Sequence, residues 1–158
     1  MPNWAMGELS AVLPTRNVER FKSYFLGRTA EENESRKRFF ARTFLNEVDL
    51  ESNNKGMTLL RISFDSAWGI YPCMVEEHPD DSRCLTIEQA IRECEVKRLT
   101  VLANEQGCGF EESITFDKDE SGEVHFESRD LYKDPWNEYL DEYDVDEKMK
   151  GDDECQIG

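Results

Sequence analysis

The chain is predicted to be an α+β domain, on three observations. Apolar residues alternate with polar ones in short segments, most clearly Leu60, Ile62 and Phe64, then Leu99, Val101 and Ala103. Two intervening stretches carry helix signals instead, a 3.6-residue apolar period in one and a capping pair in the other. Turn sequences ("ESNNKG", "EQGCG", "KDESG") separate successive strands closely enough for antiparallel hairpins.

Taken in order, "WAMGELSAVL" from Trp4 to Leu13 reads as a strand stopped by Pro14. "TRNVERFKSYFLG" reads as a helix: Thr15 or Asn17 caps it, Val18, Phe21 and Phe25 share a face, and Gly27 stops it. "RTAEENESRKR" is a solvated connection. Phe39 to Leu50 suits either period: Phe40, Phe44 and Val48 fit a helix, whereas Phe44, Asn46, Val48 and Leu50 fit a strand. The turn "ESNNKG" and the plain strand "MTLLRISFDSAW" after it favour the strand. "EEHPDDSRC" is a loop, and Thr86 with Gln89 forms a capping box that opens a short helix. Strands follow at "KRLTVLAN", "FEESITFD" and "EVHFES". The predicted order β-α-β-β-α-β-β-β describes a ferredoxin-like βαββαβ sandwich extended by a C-terminal β-hairpin, with helices on one face of an antiparallel sheet.

The 158 residues are enough for one domain with a core of its own. No apolar run approaches the roughly 18 residues of a membrane span, and the N-terminus has no basic stretch leading into an apolar one. A soluble, cytoplasmic protein is the expectation. Five cysteines, an odd number with no C-x-x-C spacing, read as free thiols in a reducing compartment. His78 and His125 give no usable zinc spacing.

Charge narrows the partner. The net charge is −16, and residues 130–158, with 11 acids against three lysines, hold half of it. Such a field repels phosphate backbones and anionic lipid and attracts cationic surfaces. Direct binding of nucleic acid or membrane is therefore not expected; a basic protein surface is.

The acidic run also keeps aromatic residues. Asp134 suits an N-cap and Pro135 the first helical position. Trp136, Tyr139, Leu140 and Tyr143 then fall on one stripe, while Glu138, Asp141, Glu142, Asp144 and Asp146 cover the other faces, and Gly151 ends the run. The chain accordingly divides into an α+β domain at 1–129 and an acidic amphipathic C-terminal helix and tail at 130–158. A helix of about 16 residues is marginal alone in water, so its stripe must pack on something. Either it packs on this chain's own domain and leaves the acids solvated, or it docks on a partner. The two combine if the aromatics dock inward and rows of carboxylates, about 5–6 Å apart, face out. The candidate partner-binding residues are therefore Trp136, Glu138, Tyr139, Asp141, Glu142, Tyr143, Asp144 and Asp146.

"MPNW" at the start, "FDSAW" at 64–68 and "EQGCGFEESITFDKDESGEV" at 105–124 occur in an order that resembles the Api92-like or YubB-like family. These are ferredoxin-like domains carried by phages, plasmids and other mobile elements, and the likeness spans roughly residues 1–128. It implies that Pro2-Asn3-Trp4 begins the first strand and that Trp68 ends the central hairpin. It also implies a Glu105-x-Gly107 turn into the last strands and a hairpin at Gly122. The sequence departs at "WGIYP", where the family has serine-proline after the tryptophan. The resemblance carries no catalytic residues. It implies a mobile-element origin and the job of blocking a host defence system, of the CRISPR or restriction type, inside the host cell; the expectation that this works through an acidic surface imitating nucleic acid comes from the charge alone.

Other chemistry is sparse. Cys108 in "GCG" has acids, not a histidine, beside it in sequence and reads as a strand-entry residue. His125 lies on a solvent face with Glu123 and Glu127, and "EEHPDD" reads as a solvated loop. Cys73 and Met74 read as core filling, and Trp4 and Trp68 as aromatic core by default. No cofactor-binding motif is present, and the leading expectation is a non-enzymatic inhibitor. The alternatives are a small-ligand protein or enzyme with a sheet-face pocket near Trp68 and Cys108, and a module that pairs its sheet with a second copy to form a homodimer.

Overall fold

A computed structural model describes residues 4–25, 36–40, 43–105 and 107–131. Within them the fold is α+β. The strands are β1 (Trp4–Pro14), β2 (Thr43–Ser52), β3 (Met57–Ala67), β4 (Arg98–Glu105), β5 (Phe110–Asp117) and β6 (Val124–Asp130). They form one antiparallel sheet in the order β2-β3-β1-β4-β5-β6. Helix α1 (Val18–Lys22) links β1 to β2, and α2 (Ile87–Glu93) links β3 to β4. Each helix thus joins two strands that run the same way with a third strand between them.

Alternation places the core on one face. Ala5, Leu9, Ala11 and Leu13 of β1 point inward with Leu60, Ile62 and Phe64 of β3 and Leu99, Val101 and Ala103 of β4. Against them pack Val18 and Phe21 of α1, and Ile87, Ala90 and Ile91 of α2. Gly7, opposite Phe64 in the β1–β3 ladder, leaves the space that the Phe64 ring fills. That ring meets Phe25 at 5.4 Å, and Phe25 meets Phe39 at 5.2 Å, close to edge-on.

Three local expectations change. The first helix is only one turn of 3-10 helix at Thr15–Asn17 followed by α1, and the chain leaves it so that Tyr24 and Phe25 turn into the core. Asn17 does not cap it; its amide Nδ2 donates to the Cys94 carbonyl at 2.9 Å and pins the end of α2. The segment from Phe39 to Leu50 is strand only from Thr43, because Phe39 is buried beforehand, its N–H donating to the Tyr24 carbonyl at 2.9 Å. A register shift between Leu45 and Glu47 makes a bulge in β2, an edge strand.

The second helix forms as its sequence directs. The Gln89 N–H donates to Thr86 Oγ1 at 3.3 Å, and the Thr86 N–H donates to Gln89 Oε1 at 2.9 Å. Among the described residues no helix is long and apolar enough to cross a membrane.

Candidate functional site

The chain is most unusual where β3 ends. Trp68 and Gly69 both take left-handed backbone, at φ 68° and 97°. A single wide turn, Tyr71–Val75, follows, closed by the Glu76 N–H on the Tyr71 carbonyl at 2.9 Å. Two of the turn's leading N–H groups have a partner from a distant strand. Ile70 and Tyr71 each donate to Glu112 Oε2 at 2.9 Å. Glycine is required at 69 both for its φ and because a Cβ there would stand 2.5 Å from Glu112 Oε1.

Glu112 belongs to the inward face of β5 and is buried. Burial raises its pKa, and the Tyr71 and Ile70 N–H groups, which favour the ionised form, offset only part of that rise. A second buried carboxylate, Glu105, ends β4. It accepts from the Gly107 N–H at 2.7 Å and from the Cys108 N–H, so the Glu105-x-Gly107 turn is held from within. Burial alone would raise its pKa, but those donors outweigh it and the pKa lies below the usual value. Both acids are thus occupied by backbone donors.

Around this corner the aromatics are exposed. Trp68 is 56% exposed and Tyr71 45%, with the Tyr71 ring 5.1 Å from that of Phe126. Trp4, at 39%, lies 5.9 Å from Phe44. The default of aromatic core is therefore wrong for both tryptophans. Trp4 is on the sheet face away from the helices, and Trp68 sits on the left-handed turn where its side chain leaves the sheet. Cys108 is exposed in the turn entering β5, whereas Cys73 and Cys94 are buried and Cys84 is partly covered.

The remaining candidates have structural partners or none. His125 is exposed between half-buried Val124 and Phe126. His78 stacks on Phe40, ring centroids 3.5 Å apart, and its Nε2 lies 2.6 Å from the Pro72 carbonyl. Asp81 accepts from the Arg83 N–H at 3.0 Å and pairs with Arg38 and Arg83; the Arg83 N–H contributes most to its lowered pKa. Among the described residues no three His, Cys, Asp or Glu side chains converge as metal ligands. Cys155 and the eight partner-binding candidates, Trp136, Glu138, Tyr139, Asp141, Glu142, Tyr143, Asp144 and Asp146, lie outside the described residues.

The charge pattern, missed from sequence because it depends on pairing, is the broader feature. Cations are largely used in ion pairs: Arg16 with Glu95, Arg20 and Lys37 with Glu93, Arg61 with Asp49, Arg98 with Asp117, and Arg129 with Glu111. Exposed carboxylates without an ion pair among the described residues gather at the β5–β6 turn (Asp119, Glu120, Glu123) and continue to Glu127 on β6. No protein-family description matches the chain, and comparisons with curated proteins and with solved structures likewise return no match.

Proposed function

We propose that this chain is a non-enzymatic acidic binding protein of a mobile element, and that it inhibits a nucleic-acid-handling host defence complex by occupying a cationic groove. The observation that carries the reading is the charge balance: a net −16, half of it in residues 130–158, above a domain whose cations are mostly paired. Trp136, Tyr139 and Tyr143 dock the C-terminal segment. Glu138, Asp141, Glu142, Asp144 and Asp146 stand in for phosphates. The mobile-element origin rests on the resemblance of "MPNW", "FDSAW" and the 105–124 block to the Api92-like domains. The strand order β2-β3-β1-β4 around two crossover helices supports the ferredoxin-like reading, with β5–β6 as the added hairpin.

The test is capture from bacterial lysate at low and high salt, by the intact chain and by one whose five acids at 138–146 are amides. A nucleic-acid-binding complex, identified by mass spectrometry, held only at low salt, released by duplex DNA and lost with the amide variant, is the expected result. Salt-insensitive capture sinks the mimicry, since screened charge contacts weaken steeply with ionic strength.

One observation favours a second reading, a small-ligand site at the Trp68 corner: an exposed tryptophan held on left-handed backbone beside the buried Glu112 carboxyl. Ligand-dependent quenching of Trp68 fluorescence, lost in Trp68→Phe, would favour it over the inhibitor.

A further inference from the structure

Among the described residues the sheet has two open edges, β2 and β6, and it blunts only one. In β2 the bulge between Leu45 and Glu47 interrupts the ladder, and Glu47, Asp49 and Glu51 share the outer face. A second β2 laid antiparallel beside it would set acid against acid. β6 carries no bulge, and its register with β5 is unbroken from Val124 to Asp130. On its inward side Val124 and Phe126 are half-exposed, although their ladder partners Phe116 and Ile114 are buried. Bonding parity identifies the groups this edge offers. The Lys118 N–H donates to the Lys97 carbonyl at 3.1 Å, so even-numbered residues of β5 bond β4 and odd-numbered ones bond β6. The Leu131 N–H on the Gly109 carbonyl continues that pattern, odd-numbered residues of β6 bonding β5. Val124, Phe126 and Ser128 therefore turn both N–H and C=O away from β5, towards the open edge.

We propose that two copies of this chain join through β6, antiparallel about a two-fold axis at Phe126, so that one six-stranded sheet continues into the other. Edge-facing groups must bond one another across the axis, so the axis falls on a residue rather than between two. With the axis at Phe126, Glu123 faces Arg129 of the second copy and His125 faces its Glu127, and the symmetry repeats each pair. On the inner side Phe126 meets its own equivalent and Val124 meets Ser128, which covers the two half-exposed apolar side chains. Neighbouring registers are worse. An axis at Glu127 sets that acid on itself and His125 on Arg129, an axis at His125 sets Glu123 on Glu127, and an axis at Ser128 sets Phe126 on Asp130. Arg129 already holds Glu111 at 2.6 Å, and its guanidinium has further N–H groups for a second carboxylate. His125 offers an N–H to Glu127 in either tautomer. The partner this edge fits is a second copy of the chain, matched by charge as well as by backbone.

Residue-resolved hydrogen exchange on the full chain, over a dilution series followed in parallel by sedimentation, tests this. In concentrated protein the amides of Val124, Phe126 and Ser128 are expected to be protected along with their odd-numbered neighbours. On dilution the even-numbered set alone should speed up, by at least about tenfold, as dimer gives way to monomer. Ser128→Pro removes an edge N–H and no bond to β5, so a folded monomer is expected. Glu123→Arg lowers the net negative charge and would strengthen any association limited by overall repulsion; here it is expected to weaken the dimer at least about tenfold, because the new charge meets Arg129 twice. Arg129→Glu should weaken it likewise, and an equimolar mixture of these two variants should pair, since each then meets an opposite charge. Circular dichroism checks each fold, and the mixture decides if Ser128→Pro unfolds. Four results overturn the proposal: a monomer at every concentration, edge-amide protection unchanged by dilution and so supplied by the chain itself, a dimer that survives Ser128→Pro, or charge variants that fail to pair when mixed.

Discussion

The ring of Phe64 lies across Gly7 on the neighbouring strand, inside the space a Cβ on Gly7 would need. Both positions are at the centre of the sheet, with β1 paired on both sides, so neither backbone can withdraw. Gly7→Ala is expected to cost about 1–3 kcal/mol in urea unfolding, as overpacking does. Phe64→Leu on the same background should recover part of that loss. Equal stability of Gly7→Ala and wild type would show that the ring is free to move aside.

Glu112 gives a second prediction, opposite in sign to that for an ion-paired acid such as Glu93. Its folded pKa is raised, by burial first, so the native state binds the proton more tightly than the unfolded chain does. The carboxyl therefore costs stability above its folded pKa, and that cost disappears as pH falls through the folded pKa towards the unfolded value near 4.5. Glu112→Gln keeps an acceptor for the Ile70 and Tyr71 N–H groups and removes the titration. Wild-type stability minus variant stability should rise as pH is lowered from 7 to 5; a flat difference would mean that the carboxyl is not desolvated.

Glu93 behaves in the usual direction. The Lys37 ammonium donates to it at 2.7 Å and the Tyr24 hydroxyl at 2.7 Å, and together, the lysine first, they hold its pKa below the usual value. The resulting stability is present above the unfolded pKa near 4.5 and is lost as pH falls through the lowered folded value. Glu93→Gln keeps an acceptor but loses the charge, so it should cost about 1 kcal/mol at pH 7, roughly the difference between a charged and a neutral hydrogen bond, and less below pH 4. A pH-independent cost would assign Glu93 a packing role instead.

Trp68 separates stability from binding. A non-glycine residue at φ 68° costs about 1–3 kcal/mol, and this side chain is more than half exposed. Trp68→Gly is expected to unfold at a denaturant concentration no lower than wild type. If it also loses a partner or ligand, strain is retained there for recognition; a marked fall in stability would show that the ring is packing.

How much of this was legible depended on where each partner lies. Thr86 and Gln89 are three residues apart, and their box forms as the sequence indicates. Leu99, Val101 and Ala103 alternate in sequence and are buried in the sheet. The Tyr71–Val75 turn left no such trace, because the carboxylate that receives its leading N–H groups is Glu112, 41 residues from Tyr71 in the chain. The helix at α1 forms where the sequence indicates, but its shortness was not legible, for a similar reason: Tyr24 leaves the helix to reach Glu93, and Asn17 is drawn to Cys94 rather than to its own helix. The aromatic and acidic stripes at 136–146 were read from spacing and lie outside the described residues. The ion-pair pattern that leaves the β5–β6 turn acidic depends on the three-dimensional pairing of Arg98 with Asp117 and Arg129 with Glu111.

The strand order also sets a timetable. β1 leaves the ribosome before the other described strands, yet its two neighbours are β3, from Met57, and β4, from Arg98. At ~5–20 residues per second, its apolar face waits seconds for the first neighbour and longer for the second. Every pairing of β1 closes a long loop, so the local hairpins β2–β3 and β4–β5–β6 are joined into one sheet late. During synthesis the exposed strand Trp4–Pro14 is the natural point of attachment for a chaperone.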